Sequence, residues 1–285
     1  MGKLALAAKI THVPSMYISE LPGRFHGCRA EAIQGHRVIG QRCRDLGVDT
    51  IVVLDVHWLV NAGYHVNCNE RFTGVYSSNE LPHFIKDMAY DFPGDPALGR
   101  LIAQCAGRKG IVTRAHEIAS LKLEYGTLVP MRYMNADRHF KVVSIAAWCA
   151  WHSLDRSRVF GEALLESINA GDSTVAVLAS GSLSHRFSDD GSPEESMLEI
   201  SDEFFRQVDL RVVELWQRGD FRTFVHMLPE YAVRCMGEGG MHDTAMLLGL
   251  LGWDRYDRPI EVITPYFASS GTGQINAIFP LPAAR

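Results

Sequence analysis

Thr50-Ile51-Val52-Val53-Leu54-Asp55-Val56 is the stretch on which the fold turns. It is a continuous apolar run, rich in β-branched residues and without polar alternation. Such a strand exposes neither face, as in a sheet covered by helices on both sides. Working outward, Arg29 to Leu46 has helical periodicity, with Ala32, Ile33, His36, Val38 and Ile39 as an inward stripe and Gly47 placed to end it. Lys3–Ile10 reads as a first strand, and Lys141–Trp148 and Ser173–Ala179 repeat the buried-strand signature. Helical segments are expected over Arg158–Asn169, Pro193–Arg218, Phe221–Arg234 and Met241–Leu251, with late strands over Ile260–Pro265 and Ile275–Phe279. This alternation predicts an α/β fold, a single domain over residues 1–285 with a mostly parallel or mixed central sheet flanked by helices. Gly63 to Leu81 is polar and irregular, and reads as an inserted hairpin or a loop over the site.

Composition narrows the function. With 47% hydrophobic and 21% charged residues over 285 positions, the chain can bury a sizeable core and is neither disordered nor fibrous. A net charge of −5 gives no electrostatic footprint for nucleic acid or an anionic membrane. No window reaches 18 consecutive apolar residues, and Lys9 interrupts the apolar start of the chain, so neither a membrane span nor a signal peptide is expected. The six cysteines form no C-x-x-C pair; reduced, mostly buried thiols and a cytoplasmic location are expected.

In open α/β sheets ligands collect beyond the carboxyl ends of the strands. Three candidate strands run into histidine there: Thr11-His12-Val13-Pro14-Ser15-Met16, Asp55-Val56-His57-Trp58, and Ser180-Gly181-Ser182-Leu183-Ser184-His185-Arg186. One histidine after a strand is ordinarily a hydrogen-bonded loop residue; three at one edge point to a site. Two histidines and a carboxylate on one face, with open positions opposite, make the usual site of non-haem iron(II) oxygenases. His12 and His57 supply the imidazoles in this reading. The carboxylate is sought in Gly237-Glu238-Gly239-Gly240-Met241-His242-Asp243, where glycines allow a close approach to an ion. Taken by itself, that stretch is equally a helix-capping turn.

At these residues the sequence resembles the class III extradiol ring-cleaving dioxygenases, the superfamily of the protocatechuate 4,5-dioxygenase β-subunit. The resemblance runs nearly end to end and is densest in Lys3–Met16, Asp55–Asn61, Ser120–Pro130, Ala179–Arg186, Gly237–Asp243 and Ser269-Ser270-Gly271-Thr272-Gly273-Gln274. It implies an iron(II) enzyme, with manganese(II) able to occupy the same donors, that uses dioxygen to open the ring of a small catechol carrying a carboxylate arm. It also implies a homo-oligomer with neither a nucleic-acid nor a membrane partner. His12 and His57 match the family's iron-binding histidines, and His185 its acid–base residue. Tyr125 stands where many relatives carry a second active-site histidine, in Glu124-Tyr125-Gly126-Thr127. Glu238 is assigned as the third ligand, although sliding the final helix against other branches places His242 or Asp243 there.

Arg186, His116 and Arg24 are the sequence candidates for holding the substrate carboxylate. The competing readings are a metal-dependent hydrolase built on the same donors and a non-catalytic metal-binding or scaffold protein.

Overall fold

The computed structural model describes residues 2–187 and 196–282. The first strand, β1 (Lys3–Ile10), is followed by a one-turn helix α1 (Ser15–Ile18) and then by α2 (Ala30–Asp45) and β2 (Thr50–Asp55). Next come β3 (Tyr64–Asn67), β4 (Arg71–Tyr76), β5 (Met88–Pro93), α3 (Pro96–Arg108), β6 (Thr113–His116) and α4 (Tyr125–Met134). The second half holds β7 (Lys141–Ala147), α5 (Leu154–Ala170), β8 (Thr174–Ser180), α6 (Glu203–Gln217), α7 (Phe221–Arg234), α8 (His242–Leu251), β9 (Glu261–Ser269) and β10 (Thr272–Ile278).

β2 pairs in parallel with β7 on one side and β8 on the other, and β8 pairs in parallel with β1. Around this parallel centre the sheet continues in the order β6-β3-β7-β2-β8-β1-β10-β9, with β3 and the β9–β10 hairpin antiparallel to their inner neighbours. The expected α/β architecture with a mixed central sheet is therefore found. All six β2 residues are buried, and their side chains divide by parity. Val52 and Leu54 enter a core with α3, α5 and α8, while Ile51 and Val53 enter a second core with α2 and α4. Two covered faces explain the absence of alternation in the sequence. Helix starts are fixed locally: Asp95, Ser153, Asp202 and Asp220 each accept a backbone N–H of the first turn, and Pro96 opens α3.

Three expectations change in the structure. The helix expected over Pro193–Arg218 begins at Glu203; Pro193 lies outside the described residues. Met197 and Glu199 offer their carbonyls, and Ser201 its N–H, to the Ser270-Gly271 turn of the β9–β10 hairpin, so that backbone is committed to pairing. In α2, Ala32, Ile33, His36 and Ile39 are buried as expected; Val38 is half-buried, and Gly35, Gly40 and Cys43 complete the inner face. Gly63–Leu81 divides: β3 joins the main sheet, while β4 pairs with β5 in a separate two-stranded ribbon whose connection carries Glu80 and Leu81. Four of the six cysteines are buried and all six are free thiols. Among the described residues no helix is long and apolar enough to cross a membrane.

Candidate metal centre

Because β1, β2 and β8 are parallel neighbours, their carboxyl ends open on one edge, and His12, His57 and His185 meet there. Glu238 reaches them from the turn between α7 and α8. Gly239, Gly240 and Met241 take φ of 53°, 61° and 63°, a left-handed run that reverses the chain at once. Glycine adopts this without steric cost; buried Met241 adopts it under strain, which marks a position held by its surroundings.

His12 Nε2 and His57 Nε2 each lie 3.0 Å from Glu238 Oε1, and the two imidazoles meet edge to face at 4.8 Å. One donor atom from each of the three side chains falls within 4.8 Å of the others. The tautomer of His12 follows from its neighbour. Ser180 gives its hydroxyl proton to the Gly126 carbonyl at 2.6 Å, so its oxygen accepts from His12 Nδ1 at 3.0 Å. His12 Nε2 therefore presents a lone pair to a carboxylate oxygen. Glu238 Oε1 is buried and has no hydrogen-bond partner among the described residues. In that tautomer His12 Nε2 and Glu238 Oε1 face each other with no proton between them, and with His57 Nε2 at the same distance the donor set fits a divalent metal.

The second carboxylate oxygen, Oε2, is held by the backbone N–H of Ser182, which aims Oε1 at the histidines. Burial alone lifts the Glu238 pKa, but His12, His185 and His57 outweigh it and hold the carboxyl well below its ordinary value. Burial likewise opposes charge on His57, and Glu238, Asp55 and Glu80 together outweigh it and raise its pKa. Asp55, which ends β2, accepts the N–H groups of His57 and Trp58 with Oδ1 and the Thr127 hydroxyl with Oδ2. A Cβ on Gly126 would stand 2.2 Å from Asp55 Oδ1, so that position takes only glycine while Asp55 holds the loop.

His185 lies beside the triad, partly exposed. Its Nδ1 is 2.9 Å from Ser182 Oγ and 3.6 Å from Glu238 Oε2, and burial is the main cause of its lowered pKa. The Tyr125 hydroxyl lies 2.8 Å from His57 Nε2 and 3.5 Å from Glu80, and burial, then Glu80, pushes its pKa up strongly. These side chains line a narrow cavity with about 30 Å³ of room for a water-sized sphere, closed by apolar Leu81, Phe84 and Phe187. A ring-sized ligand enters with movement of those side chains. A larger cleft of about 470 Å³ beside Arg132 and Tyr133 gathers no comparable donors, and Arg132 is committed there to Glu20.

The alternative third ligands are occupied elsewhere. His242 Nδ1 is 2.7 Å from Ser157 Oγ, and Asp243 forms a fully buried ion pair with Lys9 while accepting from Thr244. Asp243→Ala is expected to lower unfolding stability by about 3–5 kcal/mol, because it strands the Lys9 ammonium. Urea denaturation measures this, and an unchanged midpoint and slope would contradict it.

Of the sequence candidates for a carboxylate, Arg186 and Arg24 are exposed, and His116 stacks on His65 in a separate cleft. None lines the cavity. Ser180, Ser182, Asp55 and Glu80 were not singled out by sequence. A carboxylate closing an otherwise apolar strand was the available signal for Asp55; nothing in the irregular stretch around Glu80 marks it.

Residues 6–280 match the family model described as the catalytic LigB subunit of aromatic ring-opening dioxygenase. The chain is 61% identical over 270 residues to a 3,4-dihydroxyphenylacetate 2,3-dioxygenase of Escherichia coli, covering 95% of this chain and 98% of that one. Among solved structures, an uncharacterized protein of Escherichia coli K12 shares the fold with a TM-score of 0.62 at 16% identity, over 96% of this chain and 99% of the other.

Proposed function

The chain belongs to the family of catalytic LigB subunits of aromatic ring-opening dioxygenases, and from that premise we propose that it opens the ring of 3,4-dihydroxyphenylacetate with dioxygen, giving 5-carboxymethyl-2-hydroxymuconate semialdehyde. What supports this most is the convergence of His12 Nε2, His57 Nε2 and the unpartnered Glu238 Oε1, with His185 alongside. His12, His57 and Glu238 would hold iron(II), or manganese(II), which takes the same donors. The metal supplies a Lewis acid and an electron relay that bring catechol and dioxygen together. The reading includes a single catalytic domain, a cytoplasmic location and assembly into a homo-oligomer.

The chain's own groups handle the protons. His185, with its pKa lowered by burial, is neutral at pH 7 and is the base that takes a catechol proton; its imidazolium is then the acid that returns one as the O–O bond breaks. Ser182 orients that ring through Nδ1. Tyr125 keeps its proton and serves as a hydrogen-bond donor, not as an acid. Leu81, Phe84 and Phe187 exclude water, which strengthens each of these interactions.

Anaerobic loading with iron(II), then 3,4-dihydroxyphenylacetate and air, is expected to give the yellow ring-fission product with one dioxygen consumed per substrate. Fully metallated protein that forms no chromophore and takes up no oxygen would overturn the proposal. Tyr125→Phe is expected to lower kcat by about 5- to 100-fold, the worth of one hydrogen bond to a charged partner, with KM little changed. An unaltered kcat would make Tyr125 a packing residue.

A further inference from the structure

Arg29, just before α2, is a buried cation with no counter-charge among the described residues. It is 5% exposed, and no carboxylate among the described residues lies within ion-pair distance. Its Nε donates to Ser15 Oγ at 2.9 Å, Nη1 to the Ala268 carbonyl at 3.0 Å, and Nη2 to Ser269 Oγ at 2.9 Å and the Met197 carbonyl at 2.6 Å. The guanidinium also lies 5.2 Å from the centre of the Phe267 ring. Burial brings its pKa down to about 10, so it is charged at neutral pH. These neutral acceptors take four of its five N–H groups but leave the charge unneutralised. A full charge in such a place is costly unless an anion comes to meet it.

The two serines connect Arg29 to the cavity, since Ser15 and Ser269 both line it while Arg29 does not. A guanidinium has no lone pair, so it donates into both serine oxygens, and the serine protons must point elsewhere. The oxygens are 3.3 Å apart, so one hydroxyl can bond the other, which leaves at least one proton free to turn into the cavity. No lysine or arginine lines this cavity among the described residues, and its carboxylates, Glu238 and Glu80, stand by the histidines.

Resting on the ring-opening reading above, we infer that Ser15 and Ser269, polarised from behind by Arg29, form the subsite for the carboxylate arm of the substrate, and that Arg29 sets the preference for carboxylated catechols. Arg29 is a positioning residue here; the serine hydroxyls make the contact. This places the role on a residue different from Arg24, His116 and Arg186.

The test compares 3,4-dihydroxyphenylacetate with 4-methylcatechol, which lacks the carboxylate, on iron-loaded wild type, Arg29→Met, Arg29→Lys and Ser269→Ala. Both kcat/KM and the anaerobic dissociation constant from calorimetry are measured. Arg29→Met is expected to reduce the preference for the acid by about 30- to 1,000-fold, mostly through KM and the dissociation constant. Arg29→Lys is expected to restore part of it, and Ser269→Ala to lose about 5- to 30-fold. Equal losses on both catechols, or a preserved preference in Arg29→Met and Ser269→Ala, would overturn the inference while wild-type ring opening stood. Should Arg29→Met fail to fold, Arg29→Lys and Ser269→Ala decide it by the same ratio. Wild type that neither binds nor opens either catechol removes the ring-opening reading, and the inference with it.

Discussion

Glu238→Ala is expected to abolish metal retention. After anaerobic iron(II) loading and desalting, the variant should keep less than about a tenth of the wild-type metal, and turnover should fall on the order of 1,000-fold or more, beyond the 10- to 100-fold typical of outer-lying partners of metal ligands. The reason lies in the division of labour between its oxygens. Oε2 is committed to the Ser182 N–H and only Oε1 faces His12 and His57. Glu238→Gln is expected to fail too, since a glutamine has one acceptor oxygen for two tasks and its NH2 would face either a cation or an N–H donor. Iron content per chain, with circular dichroism to confirm the fold, measures the effect. A Glu238→Ala protein that retains iron normally would remove Glu238 from the ligand set.

His185→Ala is expected to behave differently: iron content close to wild type, turnover lower by about 100- to 10,000-fold, the range for loss of a general acid–base group. The pH profile distinguishes this from a structural effect. In the proposed role the neutral imidazole takes the catechol proton, so wild-type kcat/KM should fall as pH drops through the His185 pKa. Burial sets that pKa below its ordinary value of 6.5, with Glu238 opposing and His57 and His12 reinforcing the shift. A cation held by the neighbouring histidines acts in the same downward direction. In the variant this acidic limb should disappear from the residual rate. Loss of iron in His185→Ala would instead make it a ligand.

The parallel centre of the sheet was readable because β2 and β8 are buried on both faces and carry uninterrupted apolar runs over residues 51–54 and 175–179. Elements that bury polar side chains were harder to read. β10 is buried throughout yet contains Thr272, Gln274 and Asn276. Gln274 accepts the Thr11 hydroxyl and Asn276 accepts the Thr11 N–H, partners from the far end of the chain that no local pattern announces. α4 went unread for a related reason: nearly every residue is buried, so no helical period appears, and Gly126 and Pro130 argue locally against a helix.

His12, His57 and His185 follow from local order alone, because parallel strands that end in histidine place them on one edge wherever the strands pair. The third ligand does not. Glu238, His242 and Asp243 lie within six residues, and the glycines beside Glu238 favour it without excluding the others. What separates them is Lys9, 234 positions away, buried and drawn to Asp243, while the Ser182 N–H takes one oxygen of Glu238 and leaves the other facing the histidines. A buried charge must find its partner wherever the fold brings one, and that pairing, set by tertiary structure, decides which carboxylate is left facing the histidines.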